Sequence, residues 1–141
     1  MNIQKFGNII QFLMAVAVAI FLLWVIFGFK DDCELSPKCL KEEMEYQKIY
    51  FPEVTLRIAI LETGWFKSEA CIKKHNLFGF MLNGKTMYFD SYKSCIKYYH
   101  NWEVKHFKFN ENYLDFLKRI HYFNDKDYIW KLKKINIIYQ K

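Results

Sequence analysis

Glu62 is the single carboxylate that closes a dense apolar run, Ile58-Ala59-Ile60-Leu61-Glu62-Thr63-Gly64-Trp65. Apolar neighbours disfavour the charged form of a carboxyl group. A helix ending at Gly64 would place its negative end beside Glu62 and disfavour the anion again. A carboxylic acid that keeps its proton near neutral pH can hand it to a leaving oxygen, the step that bond-cleaving acid catalysis requires. The plainer reading of the same residues is an ordinary glutamate near a helix end. A second informative segment, Asn76-Leu77-Phe78-Gly79-Phe80, follows. Metal chemistry is not expected: there is no paired C-x-x-C, and His75, His100, His106 and His121 lack ligand spacing. No cofactor motif is present either.

The elements that must position these residues read as mostly helical. Leu40 to Tyr50 is a charged helix. Pro52 fits the first turn of the next, with Glu53 at its positive end. Val54, Leu56, Ile58, Ala59, Ile60 and Leu61 make that helix apolar on most sides, hence central and buried, and Gly64 stops it. Ser68 caps a short helix to Lys73. Phe78 to Leu82 and Thr86 to Phe89 are strand-like, and Asn83-Gly84 between them signals a hairpin. Ser91 caps a helix through about Glu103, with Tyr92, Cys95, Ile96 and Tyr99 on one face. Asn110 begins another, striped by Tyr113, Phe116, Leu117 and Ile120. Asp125 caps the last, which carries Ile129, Leu132 and Ile135. The expected fold is a mainly α domain with one small β-hairpin.

The chain has 141 residues, 52% of them hydrophobic and 20% aromatic. Much of the apolar content lies at the start: Phe12 to Phe29 is an unbroken run of 18 apolar or glycine residues. As a helix it spans about 27 Å, close to a hydrocarbon core of about 30 Å, and Ile9 and Ile10 can extend it. Trp24 and Phe29 sit toward one end, where aromatic rings favour the interface, and Lys5 favours a cytoplasmic N-terminus. The expected organisation is a signal anchor over 1–29, a stalk over 30–39 and one domain over 40–141, with the bilayer met through residues 9–29 and the domain on the periplasmic or extracellular side. A cleaved signal peptide is the rival, but the run exceeds the usual h-region and no small-x-small site follows it. An anchor that later leaves the bilayer is a third possibility.

After residue 29 the chain carries 20 basic against 15 acidic groups. This suits an anionic partner such as cell-wall polymer, although solvated surface charge is the simpler explanation. The basic residues are spread out, so no nucleic-acid interface is expected. Cys33, Cys39, Cys71 and Cys95 form an even set on the presumed outer side. Two bridges, Cys33–Cys39 around Pro37 and Cys71–Cys95, compete with free buried thiols.

Leu61-Glu62-Thr63-Gly64-Trp65, then Lys67-Ser68, then Asn76-Leu77-Phe78-Gly79 resembles the N-acetylglucosaminidase family of peptidoglycan hydrolases, glycoside hydrolase family 73 of the lysozyme-like superfamily. That family's pattern runs A-I-L-E-S-G-W-G-x-S followed by N-N-L-F-G. Tyr88-Phe89-Asp90-Ser91-Tyr92 is similar to its F-x-x-Y-x-S stretch. His121-Tyr122-Phe123-Asn124-Asp125-Lys126-Asp127-Tyr128 is similar to G-Y-A-T-D-P-x-Y, and Lys131-Leu132 to K-I. The resemblance covers about Leu56 to Ile135. It implies a lysozyme-like helical fold with a small β lobe, and hydrolysis of the β-1,4 bond after N-acetylglucosamine in peptidoglycan strands. It makes Glu62 the general acid and places Tyr122 near the reacting sugar. Asn76, Phe78 and Gly79 would shape the cleft floor, with Tyr128 beside them, and Trp65 would be a sugar platform or a packing residue.

Three departures stand out. Phe66 occupies a position where glycine is usual, His75 replaces the first asparagine, and Phe80 to Phe89 contains no Asp or Glu. A second catalytic carboxylate is therefore not evident. Asp90 is the nearest candidate, followed by Glu69 and Asp125, and the substrate's own 2-acetamido group is the alternative nucleophile. The expectation is a membrane-anchored glucosaminidase, with muramidase cleavage as a variant. A non-catalytic wall-binding or scaffold module of the same fold, and a contact domain within a larger assembly, are the competing readings.

Overall fold

The structure, a computed structural model, describes residues 13–20, 22 and 33–137. It divides into two compact units, Met1–Asp31 and Asp32–Lys141. In the first unit residues 13–20 and 22 are helical, and Leu13, Met14, Val16, Val18, Ile20 and Leu22 are exposed. Half of the apolar run Phe12–Phe29 lies outside the described residues, as do Lys5, Trp24 and Phe29. Among the described residues no helix is long and apolar enough to cross a membrane.

The second unit is built from helices α1 (Pro37–Tyr46), α2 (Pro52–Thr63), α3 (Glu69–Lys74), α4 (Tyr92–His106), α5 (Tyr113–Arg119) and α6 (Tyr128–Lys134). A hairpin of β1 (Met81–Leu82) and β2 (Lys85–Thr86) sits between α3 and α4. The central helix forms where its apolar run required. Pro52 occupies its first turn, Glu53 its positive end, and Gly64 closes it in the left-handed region at φ 57°. Thr55, Leu56, Ile58, Ala59, Ile60 and Thr63 are all buried along it. α1 packs on α2 and α4, and α6 packs on α2, so the Glu62 helix has partners on more than one side.

Helix boundaries moved where caps outweighed the apolar pattern. α1 starts at Pro37, three residues before the expected Leu40, because Ser36 accepts the Cys39 amide at 3.3 Å and proline takes the first turn. It ends at Tyr46, short of Tyr50, where Gln47 caps and Lys48 turns left-handed at φ 65°. Residues expected as a stalk join the packed domain instead. Cys33 is buried, Leu35 and Cys39 lie against the core, and Cys33–Cys39 is a disulfide with Cα atoms 5.8 Å apart. The second expected bridge is absent: Cys71 and Cys95 are free, buried thiols. Each sits inside the core without a bond to the other, and the Cys95 Sγ instead accepts the Leu77 amide at 3.4 Å.

The hairpin is shorter than its apolar flanks suggested. Asn83 and Gly84 both have positive φ, 50° and 74°, as a two-residue type I′ turn requires. Pairing runs Leu82 with Lys85 and Met81 with Thr86, and the Met87 amide donates to the Phe80 carbonyl at 2.9 Å. Residues 76 to 80 do not continue as a strand, because the Asn76 side chain organises them. α4 is a turn longer than expected: a capping box of Ser91 and Ser94 starts it, and it continues past Glu103 to His106. α5 is capped by Asn112 rather than Asn110, and α6 starts after Asp127. Asp125 holds the preceding turn by accepting the Asp127 amide at 2.8 Å.

Candidate active site

Glu62 stands in the last turn of α2, at the edge of a cleft of about 390 Å³. Phe78, Gly79, Phe80 and Met81 contribute one stretch of the lining, Trp102 and His106 of α4 a second, and Ile120 with Tyr122 a third. Among the described residues Glu62 is the only carboxylate lining the cleft. The glutamate is exposed as a residue because its carboxyl opens into the cleft. Even so, the protein around it removes enough water to push the carboxyl above its ordinary value of 4.5. The Tyr128 hydroxyl donates to Oε1 at 2.7 Å and works in the opposite direction, favouring the anion, but desolvation is the larger effect. With Oε1 accepting from Tyr128, the acidic proton belongs on Oε2.

The other oxygen lies against Gly79. A Cβ built there would sit 3.4 Å from Glu62 Oε2, and Gly79 has φ +68°. The left-handed backbone calls for glycine, and a methyl group there would stand in van der Waals contact with the acid. Gly79→Ala should cost about 1–2 kcal/mol of stability from the left-handed strain alone. It should lower turnover by more than that loss explains, because the methyl group crowds the oxygen that must meet substrate. Thermal melting and turnover measured side by side check this.

Asn76 is fully buried and all four of its contacts are intramolecular. Its Nδ2 donates to the carbonyls of Phe80 at 2.8 Å and Met87 at 3.1 Å. Its Oδ1 accepts the amides of Phe80 at 3.0 Å and Phe78 at 3.4 Å. Asn76 therefore builds the loop that carries Phe78 and Gly79 and does not itself line the cleft. Tyr122 lines it and donates to the Phe78 carbonyl at 3.3 Å, tying the α5–α6 turn to that loop. Burial raises the Tyr122 hydroxyl well above the usual tyrosine range, so it acts as a neutral donor. Tyr128 is buried, stacked on Phe123 with ring centroids 4.3 Å apart, and reaches the cleft only through Glu62. Its hydroxyl is likewise raised, chiefly by burial.

Because the Tyr128 bond favours ionised Glu62, Tyr128→Phe should raise the glutamate pKa further. If activity needs protonated Glu62, the alkaline limb of the pH–rate profile should move to higher pH. A limb that moves to lower pH would show that Tyr128 does not stabilise the anion.

The remaining expected residues lie elsewhere. Asp90 is exposed beside the Ser91 cap of α4 and is not among the residues lining the cleft, so the structure does not bring it to Glu62. Glu69 pairs with Lys73 on α3 and Asp125 with Lys131 on α6. Trp65 is half exposed and also outside the cleft lining. It belongs to a left-handed run, Gly64, Trp65 and Phe66, with φ of 57°, 60° and 63°. Left-handed backbone explains two departures in the sequence. A glycine at position 66 would adopt this φ freely. Phe66 adopts it at a cost of about 1–2 kcal/mol, held by its own burial and by its amide donating to Thr63 Oγ1 at 2.9 Å. Position 75, at φ 50°, is another left-handed site that suits asparagine. His75 is held there by donating from Nδ1 to the Phe89 carbonyl at 2.8 Å.

Trp102, His106, Met81 and Ile120 are cleft residues the sequence reading did not find. His106 lies beyond the expected end of α4 at about Glu103, and Trp102 falls within that helix but outside the face marked by Tyr92, Cys95, Ile96 and Tyr99. Their signal was present: Tyr99, Trp102, Glu103 and His106 repeat at helical spacing, and Lys105-His106 is a basic last turn. Among the described residues no group of three or more His, Cys, Asp or Glu is placed to hold a metal ion.

The glucosaminidase family, described as mannosyl-glycoprotein endo-beta-N-acetylglucosaminidase, matches residues 38–141. Searches of curated proteins and of solved structures found no match.

Proposed function

The chain belongs to the glucosaminidase family, a family of glycoside hydrolases, and from that premise we propose that it cleaves the β-1,4 bond after N-acetylglucosamine in peptidoglycan strands with Glu62 as general acid. One observation carries the assignment of the acid. Among the described residues Glu62 is the sole carboxylate lining the cleft, and desolvation holds its pKa up. In this reading the aromatic wall of Phe78, Phe80, Trp102 and Tyr122 receives the sugar faces. Tyr128 fixes the rotamer of Glu62, and the Oε2 proton passes to the oxygen of the departing sugar.

The apolar run in the first unit supports a second part of the reading, attachment to a bilayer through residues 9–29. The N-terminus would be cytoplasmic and the catalytic unit periplasmic or extracellular, where its glycan substrate lies.

The test is digestion of purified peptidoglycan by the full chain, followed by reduction and analysis of the new ends. Soluble fragments ending in N-acetylglucosamine are expected. Ends in N-acetylmuramic acid would replace the assignment with muramidase cleavage, and binding without release of fragments would favour a wall-binding module.

A further inference from the structure

Hydrolysis of a glycoside needs a second group besides the acid, to activate water or to attack the sugar. Among the described residues the cleft offers no second carboxylate, yet it does contain an imidazole. His106 closes α4 and lines the same cleft as Glu62. Three contacts fix it although it lies at the surface. Its Nδ1 bonds the Trp102 carbonyl at 2.7 Å, and its ring lies 5.5 Å from the Trp102 ring. Its own carbonyl accepts from Arg119 Nη2 at 2.8 Å, and that guanidinium is itself held by Glu111. A carbonyl oxygen can only accept, so Nδ1 must carry a hydrogen. In the neutral ring Nε2 is then the bare lone pair, and among the described residues no hydrogen bond occupies it.

We propose that His106 is the second catalytic group of the site, the base that activates the attacking water; this rests on the hydrolase reading above. Water oxygen bonds to C1 of the N-acetylglucosamine unit while one of its protons passes to His106 Nε2. The bond from C1 to the departing oxygen breaks, and that oxygen takes the proton from Glu62 Oε2. The products are two shorter glycans, a Glu62 anion and a His106 cation, and exchange with solvent resets both groups. A single displacement of this kind inverts the anomeric centre. The Trp102 bond to Nδ1 does for His106 what Tyr128 does for Glu62: it fixes which atom exchanges the proton.

The test uses the full chain and soluble, uncrosslinked glycan strands. Proton NMR within the first minutes should show the α-anomer as the first product of the wild-type protein. His106→Ala should lose about 10²-fold or more in kcat, with melting temperature unchanged because the side chain is exposed. Sodium azide should restore turnover in that variant and yield the α-glycosyl azide. A β-anomer as the first product overturns the proposal, as does a His106→Ala variant that keeps half the wild-type kcat. In either case Glu62→Gln remains inactive and the hydrolase reading stands. No cleavage by the wild-type protein overturns both.

Discussion

Glu62→Gln should reduce release of peptidoglycan fragments by about 10³-fold while leaving the fold intact. Glutamine keeps the shape of the side chain and an oxygen that can accept from Tyr128, so the 2.7 Å bond to α6 survives. What it lacks is the acidic proton. Tight binding to insoluble peptidoglycan should persist, because the aromatic lining is untouched. The melting temperature should not fall, since the variant removes a carboxyl that burial holds away from its preferred charge. Undiminished fragment release would take Glu62 out of the acid role.

The second large effect concerns stability. Glu103 is fully buried in α4, where Oε2 accepts the Tyr50 amide at 3.0 Å and Oε1 accepts the Tyr113 hydroxyl at 2.7 Å. Tyr113 in turn bonds Tyr99 at 2.7 Å, and His100 lies 3.6 Å from Oε2. The group thus joins the chain just before α2, which carries Glu62, to α4, which carries Trp102 and His106. Glu103→Ala orphans two donors. The expected loss is about 3 kcal/mol, or on the order of 15 °C in melting temperature for a domain of this size. Glu103→Gln should lose much less, because its amide oxygen can still accept one donor.

Burial raises the Glu103 pKa, more than the Tyr50 and Tyr113 bonds lower it. A carboxyl with a raised folded pKa binds its proton more tightly in the folded state than in the unfolded chain. Its contribution to stability is therefore fully present below the unfolded value and is lost as pH rises through the folded value. Glu62 acts in the same direction, also because of burial. The wild-type domain should lose melting temperature as pH rises out of the carboxylate range. Glu103→Gln should flatten that dependence, which thermal melts at several pH values will show.

Much of this arrangement was legible in the residues. The apolar run from Val54 to Leu61 with Pro52 before it and Gly64 after it defined the central helix, and Asn83-Gly84 defined the hairpin. Serine caps at 68 and 91 were read where they occur. The candidate acid was found because its sequence neighbours are the residues that bury its helix. The cleft was harder to read because its lining comes from four separated segments, and only tertiary contact shows which faces meet. Asp90 illustrates the limit: closeness in sequence to the hairpin did not bring it to the cleft, because Ser91 beside it is committed to starting α4. Asn76 shows another: the family resemblance placed it at the floor, but only the fold reveals that all of its hydrogen bonds serve the loop.

The departures at positions 66 and 75 have a common physical basis. Both sites require positive φ, where glycine and asparagine are comfortable. Here a buried phenylalanine and a hydrogen-bonded histidine accept the strain within a few residues of the elements that form the cleft.

The account turns on one proton. Carbon-detected NMR titration of the Glu62 carboxyl in the wild-type protein, assigned by its absence in Glu62→Gln, measures its affinity directly. The predicted midpoint lies above the ordinary 4.5, because burial disfavours the anion. A midpoint at or below 4.5 would mean a glutamate already ionised where the reaction needs an acid, and would contradict the assignment.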